Sequence, residues 1–64
     1  MHGKTLLPAH AVVGEDVIVN KPASPMHNTF GKIWKIRAEG NRLKISVTFD
    51  SEIYNFYCDE LLLA

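Results

Sequence analysis

The sequence predicts an all-β domain, a small five-stranded barrel with a short helical turn before the last strand. Three observations carry this. Leu43, Ile45, Val47 and Phe49 alternate with Lys44, Ser46 and Thr48, the period-two pattern of a strand with one buried face. The β-branched run Val17, Ile18 and Val19 follows a turn-like Gly14-Glu15-Asp16. Turn-forming residues recur between the apolar segments, and the one helix candidate, at the C-terminal end, is too short to stand alone.

Taken in order, residues 1–13 show no period, and Pro8 blocks a helix around it. Leu6, Leu7, Val12 and Val13 suit an edge strand or an arm laid over the core, with the first few residues loose. Residues 17–20 form the first strand. Residues 21–29 hold Pro22, Ser24, Pro25 and Asn28 and read as a loop, since proline cannot donate to a ladder. Residues 30–37 form the second strand, where Gly31 suggests a bulge or sharp bend. Ile33 and Ile36 cannot both face inward in a regular strand, so a bulge or strong twist must reconcile them.

Gly40-Asn41, within residues 38–42, suits a tight hairpin turn with positive φ. The third strand runs over residues 43–49, followed by the turn Asp50-Ser51-Glu52. Ile53 to Cys58 is an aromatic-rich fourth strand. Asp59-Glu60 starts a helical turn, where acidic side chains are favoured, and Leu61 to Leu63 forms the fifth strand. The expected core is Val17, Val19, Ile33, Ile36, Leu43, Ile45, Val47, Phe49, Phe56, Leu61 and Leu63. A strongly bent sheet of this size most easily closes into a barrel, which removes exposed edges. The domain is expected to span residues 14–64.

This order of pieces resembles SH3-like small barrels. The resemblance rests on Gly14-x-x-Val17-x-Val19, Gly31-x-Ile33-x-x-Ile36, Val47-x-Phe49-Asp50 and Phe56-x-x-Asp59-Glu60-Leu61, which cover residues 14 to 63. The central Gly-x-Ile-x-x-Ile piece looks like the KOW-type element of ribosome- and transcription-associated barrels. The ending Asn55-Phe56-x-x-Asp59-Glu60-Leu61 is similar to that of photosystem I reaction-centre subunit IV. The variable chain of ferredoxin–thioredoxin reductase has the same general shape. Resemblance to that group implies a non-catalytic accessory subunit that docks electron-transfer partners. The chain departs from the photosystem subunit in its leader and in a first strand followed by a single Lys21.

Composition bounds the function. The chain has 64 residues, and at this size about 60% of the unfolded surface is buried on folding, so stability is marginal. Cys58 is the single cysteine, which rules out an intramolecular disulfide. With no signal-peptide pattern, it points to a reducing, cytoplasmic setting. No apolar run approaches bilayer-spanning length, so no membrane partner is expected. Seven basic and seven acidic residues cancel, so no net field steers the domain to nucleic acid. The charges are unevenly spread: Lys32, Lys35, Arg37, Arg42 and Lys44 face only Glu39 within their stretch, and Asp50, Glu52, Asp59 and Glu60 follow. An ordinary solvated hairpin accounts for this better than a binding patch does.

Catalytic and metal-binding patterns are absent. His2, His10, His27 and Cys58 have no ligand spacing, so no metal or other cofactor is expected. Nothing places a histidine beside Cys58, and at the end of an aromatic strand the thiol packs as a small hydrophobe. Gly14, Gly31 and Gly40 are far apart and none begins a helix, which excludes a phosphate-cradling loop. The remaining candidates are aromatic. With Ile33 inward, Trp34 faces out among lysines, where it either covers one open end of the barrel or serves as a contact; with Phe56 inward, Tyr54 shares its side and Tyr57 faces out.

The sequence therefore predicts a non-catalytic protein-interaction or accessory module. Its contact residues are Trp34, Lys32, Lys35, Arg37, Arg42, Lys44 and Tyr57, aided by the 21–29 loop. The alternative is a KOW-like barrel that stacks bases on Trp34 and binds phosphates through the lysines. A third reading is an enzyme subunit whose site forms only in an oligomer, as in the plasmid-borne dihydrofolate reductases. No residue matches that family's site closely. Edge strands and the leucine-rich end are compatible with a homodimer.

Overall fold

The computed structural model describes residues 4–64. It contains five strands: β1 (Asp16–Val19), β2 (Phe30–Glu39), β3 (Arg42–Phe49), β4 (Glu52–Tyr57) and β5 (Leu61–Leu63). Two 3-10 turns, Pro8–His10 and Cys58–Glu60, complete the regular structure. All pairings are antiparallel and form one sheet in the order β4-β3-β2-β1-β5. The sheet does not close, because its end strands β4 and β5 share no ladder. Among the described residues no helix is long and apolar enough to cross a membrane.

β2 joins the two halves. Phe30, Gly31 and Lys32 pair with β1, while Lys32 to Glu39 pair with β3. The β2–β3 register steps from Ile33↔Val47 to Lys35↔Ser46, leaving Trp34 as the extra residue of a bulge. The bulge resets the alternation, so Ile33 is buried and Ile36 packs against the core from the same side. The expected irregularity therefore falls at Trp34, not at Gly31. Gly31 has a different task. A Cβ there would lie 2.5 Å from Val47 Cγ1 and 2.6 Å from Phe49 Cε1, so only glycine lets β2 cross under the Phe49 ring.

The hairpin turns follow their residue chemistry. Gly40 has φ +61° while Asn41 stays at negative φ, the pattern of a turn needing a positive angle only at its first central residue. Asp50 takes φ +56° at the β3–β4 turn, a conformation that short polar side chains tolerate. The strand limits differ from the sequence expectation by one or two residues: β1 begins at Asp16 and ends at Val19, β2 extends to Glu39, and Cys58 belongs to the second 3-10 turn.

The core consists of Leu6, Val17, Val19, Ile33, Ile45, Val47, Phe49, Phe56 and Leu61, with Ile36, Leu43 and Leu63 partly buried against it. Phe49 meets Tyr54 and Phe56 edge-on, at centroid distances of 5.8 and 6.4 Å. Leu6, expected only in an edge strand or an arm laid over the core, is itself a core member. The arm lies beside β5: Leu6 N–H donates to the Leu61 carbonyl (2.9 Å), Leu63 N–H donates to the Lys4 carbonyl (2.7 Å), and Thr5 bridges Leu62. Leu7, Val12 and Val13 remain exposed, so only part of the arm covers the core. Pro8 does not prevent a turn but begins one, at the first position, where its missing N–H has no partner to lose. The expectation of looseness at the extreme N-terminus, and the His2 candidate, lie outside the described residues.

Two substitutions test this packing. Leu6→Ala should destabilise the domain by about 2–5 kcal/mol in urea unfolding, as for other buried leucines, whereas Leu7→Ala should change it by less than about 0.5 kcal/mol. Gly31→Ala should cost about 1–3 kcal/mol by overpacking against Val47 and Phe49.

Candidate functional site

The β2–β3–β4 register fixes which side chains share the outer face of the sheet. Ile36, Ile45 and Phe56 form one row and point into the core; the adjacent rows Lys35–Ser46–Asn55 and Arg37–Lys44–Tyr57 point outward. Trp34, freed from the ladder by the bulge, is 49% exposed. It lines a hollow of about 220 Å³ together with Lys35, Arg37, Lys44, Ser46, Ile53 and Asn55. Ile53 is 53% exposed, so the hollow has an apolar side and a cationic side. Ser46 Oγ donates to Asn55 Oδ1 at 2.7 Å between them.

The five clustered cations are not equivalent. Lys32 pairs with Asp16 across β1 and β2 at 2.7 Å and lies outside the hollow. The Arg42 guanidinium stacks 3.6 Å from the Tyr57 ring centroid and pairs with Asp59 at 3.4 Å. Lys44 is 3.6 Å from Glu39 and 5.7 Å from the Tyr57 ring. Among the described residues, Lys35 and Arg37 have no carboxylate within ion-pair distance. Arg37 also lies directly opposite Lys44, and like charges facing each other across a ladder destabilise a sheet.

Tyr57 faces outward as the alternation implied, but it is occupied. Arg42 covers its ring, and its hydroxyl donates to Glu39 at 3.2 Å. It buttresses the charges instead of offering an open aromatic surface. The 21–29 loop contributes nothing to the hollow beside Trp34. It folds on itself through Lys21 N–H donating to His27 Nδ1 (3.1 Å) and Asn28 N–H donating to the Val19 carbonyl (2.8 Å), with Met26 against the core. Ile53, Ser46 and Asn55 are lining residues that the sequence reading passed over. Their signal was present, since an inward Phe56 turns Ile53 and Asn55 outward.

Two titrating groups sit at the second 3-10 turn. Burial pushes the Cys58 thiol above its ordinary value, and the Asp59 carboxylate adds to this. The thiol therefore stays protonated and weakly nucleophilic at neutral pH. Burial alone would raise the Glu60 carboxyl. The hydrogen bond from Tyr57 N–H (2.9 Å), the Lys21 ammonium (3.1 Å) and the field of Arg42 outweigh it and hold the group below its ordinary value. Among the described residues no three of His, Cys, Asp and Glu gather where they could hold a metal ion.

Comparison with known proteins returns no match: no family model, curated protein or solved structure matches the chain.

The lowered Glu60 carboxyl contributes stability above its ordinary value of 4.5, and this is lost as pH falls from there through the folded-state value. Glu60→Gln keeps an acceptor for Tyr57 N–H but removes the charge that pairs with Lys21, so it should lower stability at neutral pH by about 0.2–1 kcal/mol and flatten the decline below 4.5. Urea unfolding of both proteins from neutral to acidic pH checks this.

Proposed function

We propose that the chain is a non-catalytic protein-interaction module with an SH3-like, strongly bent sheet, and that it binds through the hollow beside Trp34. The observation that carries this is the placement of Arg37 opposite Lys44 next to a half-exposed indole and Ile53. Glu39 already offsets Lys44, so among the described residues Lys35 and Arg37 are the cations of the hollow without a carboxylate, and they sit beside an exposed indole and isoleucine. A partner supplying carboxylates beside an apolar anchor matches both features. Trp and Arg are also the residues that dominate interface energetics. The strand order, with a 3-10 turn before the last strand, agrees with the SH3-like reading.

Nucleic-acid binding is the weaker reading. It draws on Trp34 beside Lys35 and Arg37, the pairing of a stacking surface with phosphate ligands. Against it, Lys32, Arg42 and Lys44 already face carboxylates, which leaves few charges to follow a phosphate backbone.

Trp34→Ala and Arg37→Ala test the proposal together. Arg37→Ala should leave stability unchanged or raise it by up to about 0.5 kcal/mol, because it removes a repulsion. Each variant should reduce affinity capture of a protein partner at least about tenfold. Undiminished capture by both variants would remove the hollow as the contact site. Retardation of RNA or DNA at low salt, abolished by moderate salt, would select the alternative.

A further inference from the structure

β2 loses one of its neighbours halfway along. Phe30, Gly31 and Lys32 pair with β1, and Ile33 ends that ladder by donating its N–H to the Glu15 carbonyl (2.9 Å) and accepting from Gly14 N–H (2.7 Å). The turn at residues 12–15, held by Glu15 N–H to the Val12 carbonyl (3.0 Å), then separates the chain from β2. Over residues 35–39, β2 pairs with β3 alone. The two-residue turn makes Glu39 and Arg42 a hydrogen-bonded pair, and Arg37–Lys44 and Lys35–Ser46 follow in phase. The N–H and C=O groups of Ile36 and Ala38 therefore point away from β3. Among the described residues these groups have no backbone partner on that side. Ala38 is exposed and Ile36 half-buried. The side chains interleaved with them are Lys35 and Arg37, which have no carboxylate among the described residues. A bulge and a lysine are usual guards of an open edge. Here the guard is positive, so it repels a second β2 and admits a strand of opposite sign.

We propose, resting on the partner-binding reading of the same site, that an extended acidic segment of a protein partner adds antiparallel to β2 at Ile36 and Ala38, in the row that β1 leaves. Main-chain hydrogen bonds to these two residues hold the segment, and its alternating side chains select it. The partner residues opposite Arg37 and Lys35 lie on the outer face, two positions apart, and carry carboxylates. The residue between them, opposite Ile36, turns to the core side and is apolar. The residue after the second carboxylate comes level with the exposed Trp34 indole and is also apolar. The pattern recognised is thus acidic, apolar, acidic, apolar. Two carboxylates suffice because Lys44, opposite Arg37 on β3, already faces Glu39. Ile53 and the rest of the hollow stay uncovered by the added backbone, since they lie on the far side of β3.

The probe is a peptide of about ten residues with Glu-Val-Glu-Phe at its centre, titrated into the whole chain by calorimetry and followed by amide hydrogen exchange. It should bind, and at saturation the Ile36 and Ala38 amides should exchange at least about tenfold more slowly. The Lys35 and Arg37 amides, already bonded to β3, should change little. Methylating the valine nitrogen deletes a bond to the Ile36 carbonyl and should weaken binding at least about tenfold, whereas methylating the first glutamate nitrogen, which points away from β2, should not. Exchanging both glutamates for glutamine should also weaken binding at least about tenfold. Equal affinity of the glutamine peptide would overturn the acidic partner. Loss of binding in Trp34→Ala and Arg37→Ala, with no response to valine methylation and no slowing at Ile36 and Ala38, would overturn strand addition and leave the hollow standing as a contact site. No binding of the peptide at millimolar concentration would likewise overturn strand addition, while capture of a protein partner judges the hollow separately.

Discussion

Trp34 has no counterpart on β3, and this one unmatched residue decides which side of β2 meets the core. Without the bulge, the strand would send Ile33 and Ile36 to opposite faces. With it, both turn inward and the indole is lifted out of the ladder. The core and the candidate site are therefore two results of the same irregularity. Packing on one face and exposure on the other cannot be altered independently here. A regular β2 would gain a ladder position and lose either an isoleucine from the interior or the exposed tryptophan.

Much of the fold was legible because period-two alternation survives in a single sequence. Leu43 to Phe49 showed it most cleanly, and β3 matches that expectation to within one residue. The need for a bulge was also legible, from the spacing of Ile33 and Ile36. Its position was not, because a bulge is set by register against the partner strand, and Gly31 was the more conspicuous residue. That Leu6, and not Leu7, Val12 or Val13, enters the core was hidden for a related reason. Its burial depends on β5, more than fifty residues away, and the arm has no periodic pattern to announce it.

Charge was the least legible property of the candidate site. In sequence, five cations form one group. In the fold, Asp16, Asp59 and Glu39 reach across strands and turns to Lys32, Arg42 and Lys44. What remains is a small centre around Lys35 and Arg37 in a chain with no net charge. A neutral protein can still present a local field, and a field of this size favours a compact acidic contact over a long polyanion.

The bridge between Thr5 and Leu62 joins positions separated by nearly the whole chain. Closing so long a loop sacrifices more conformational entropy than forming the β2–β3 and β3–β4 hairpins, whose turns span two residues each. The hairpins are thus the natural early events of folding, and the seating of Leu6 beside Leu61 is a late one. By the same reasoning, the arm is the first element to come away in native-state fluctuations. Its brief departures bare the β5 edge and the floor of the core while the rest of the sheet persists.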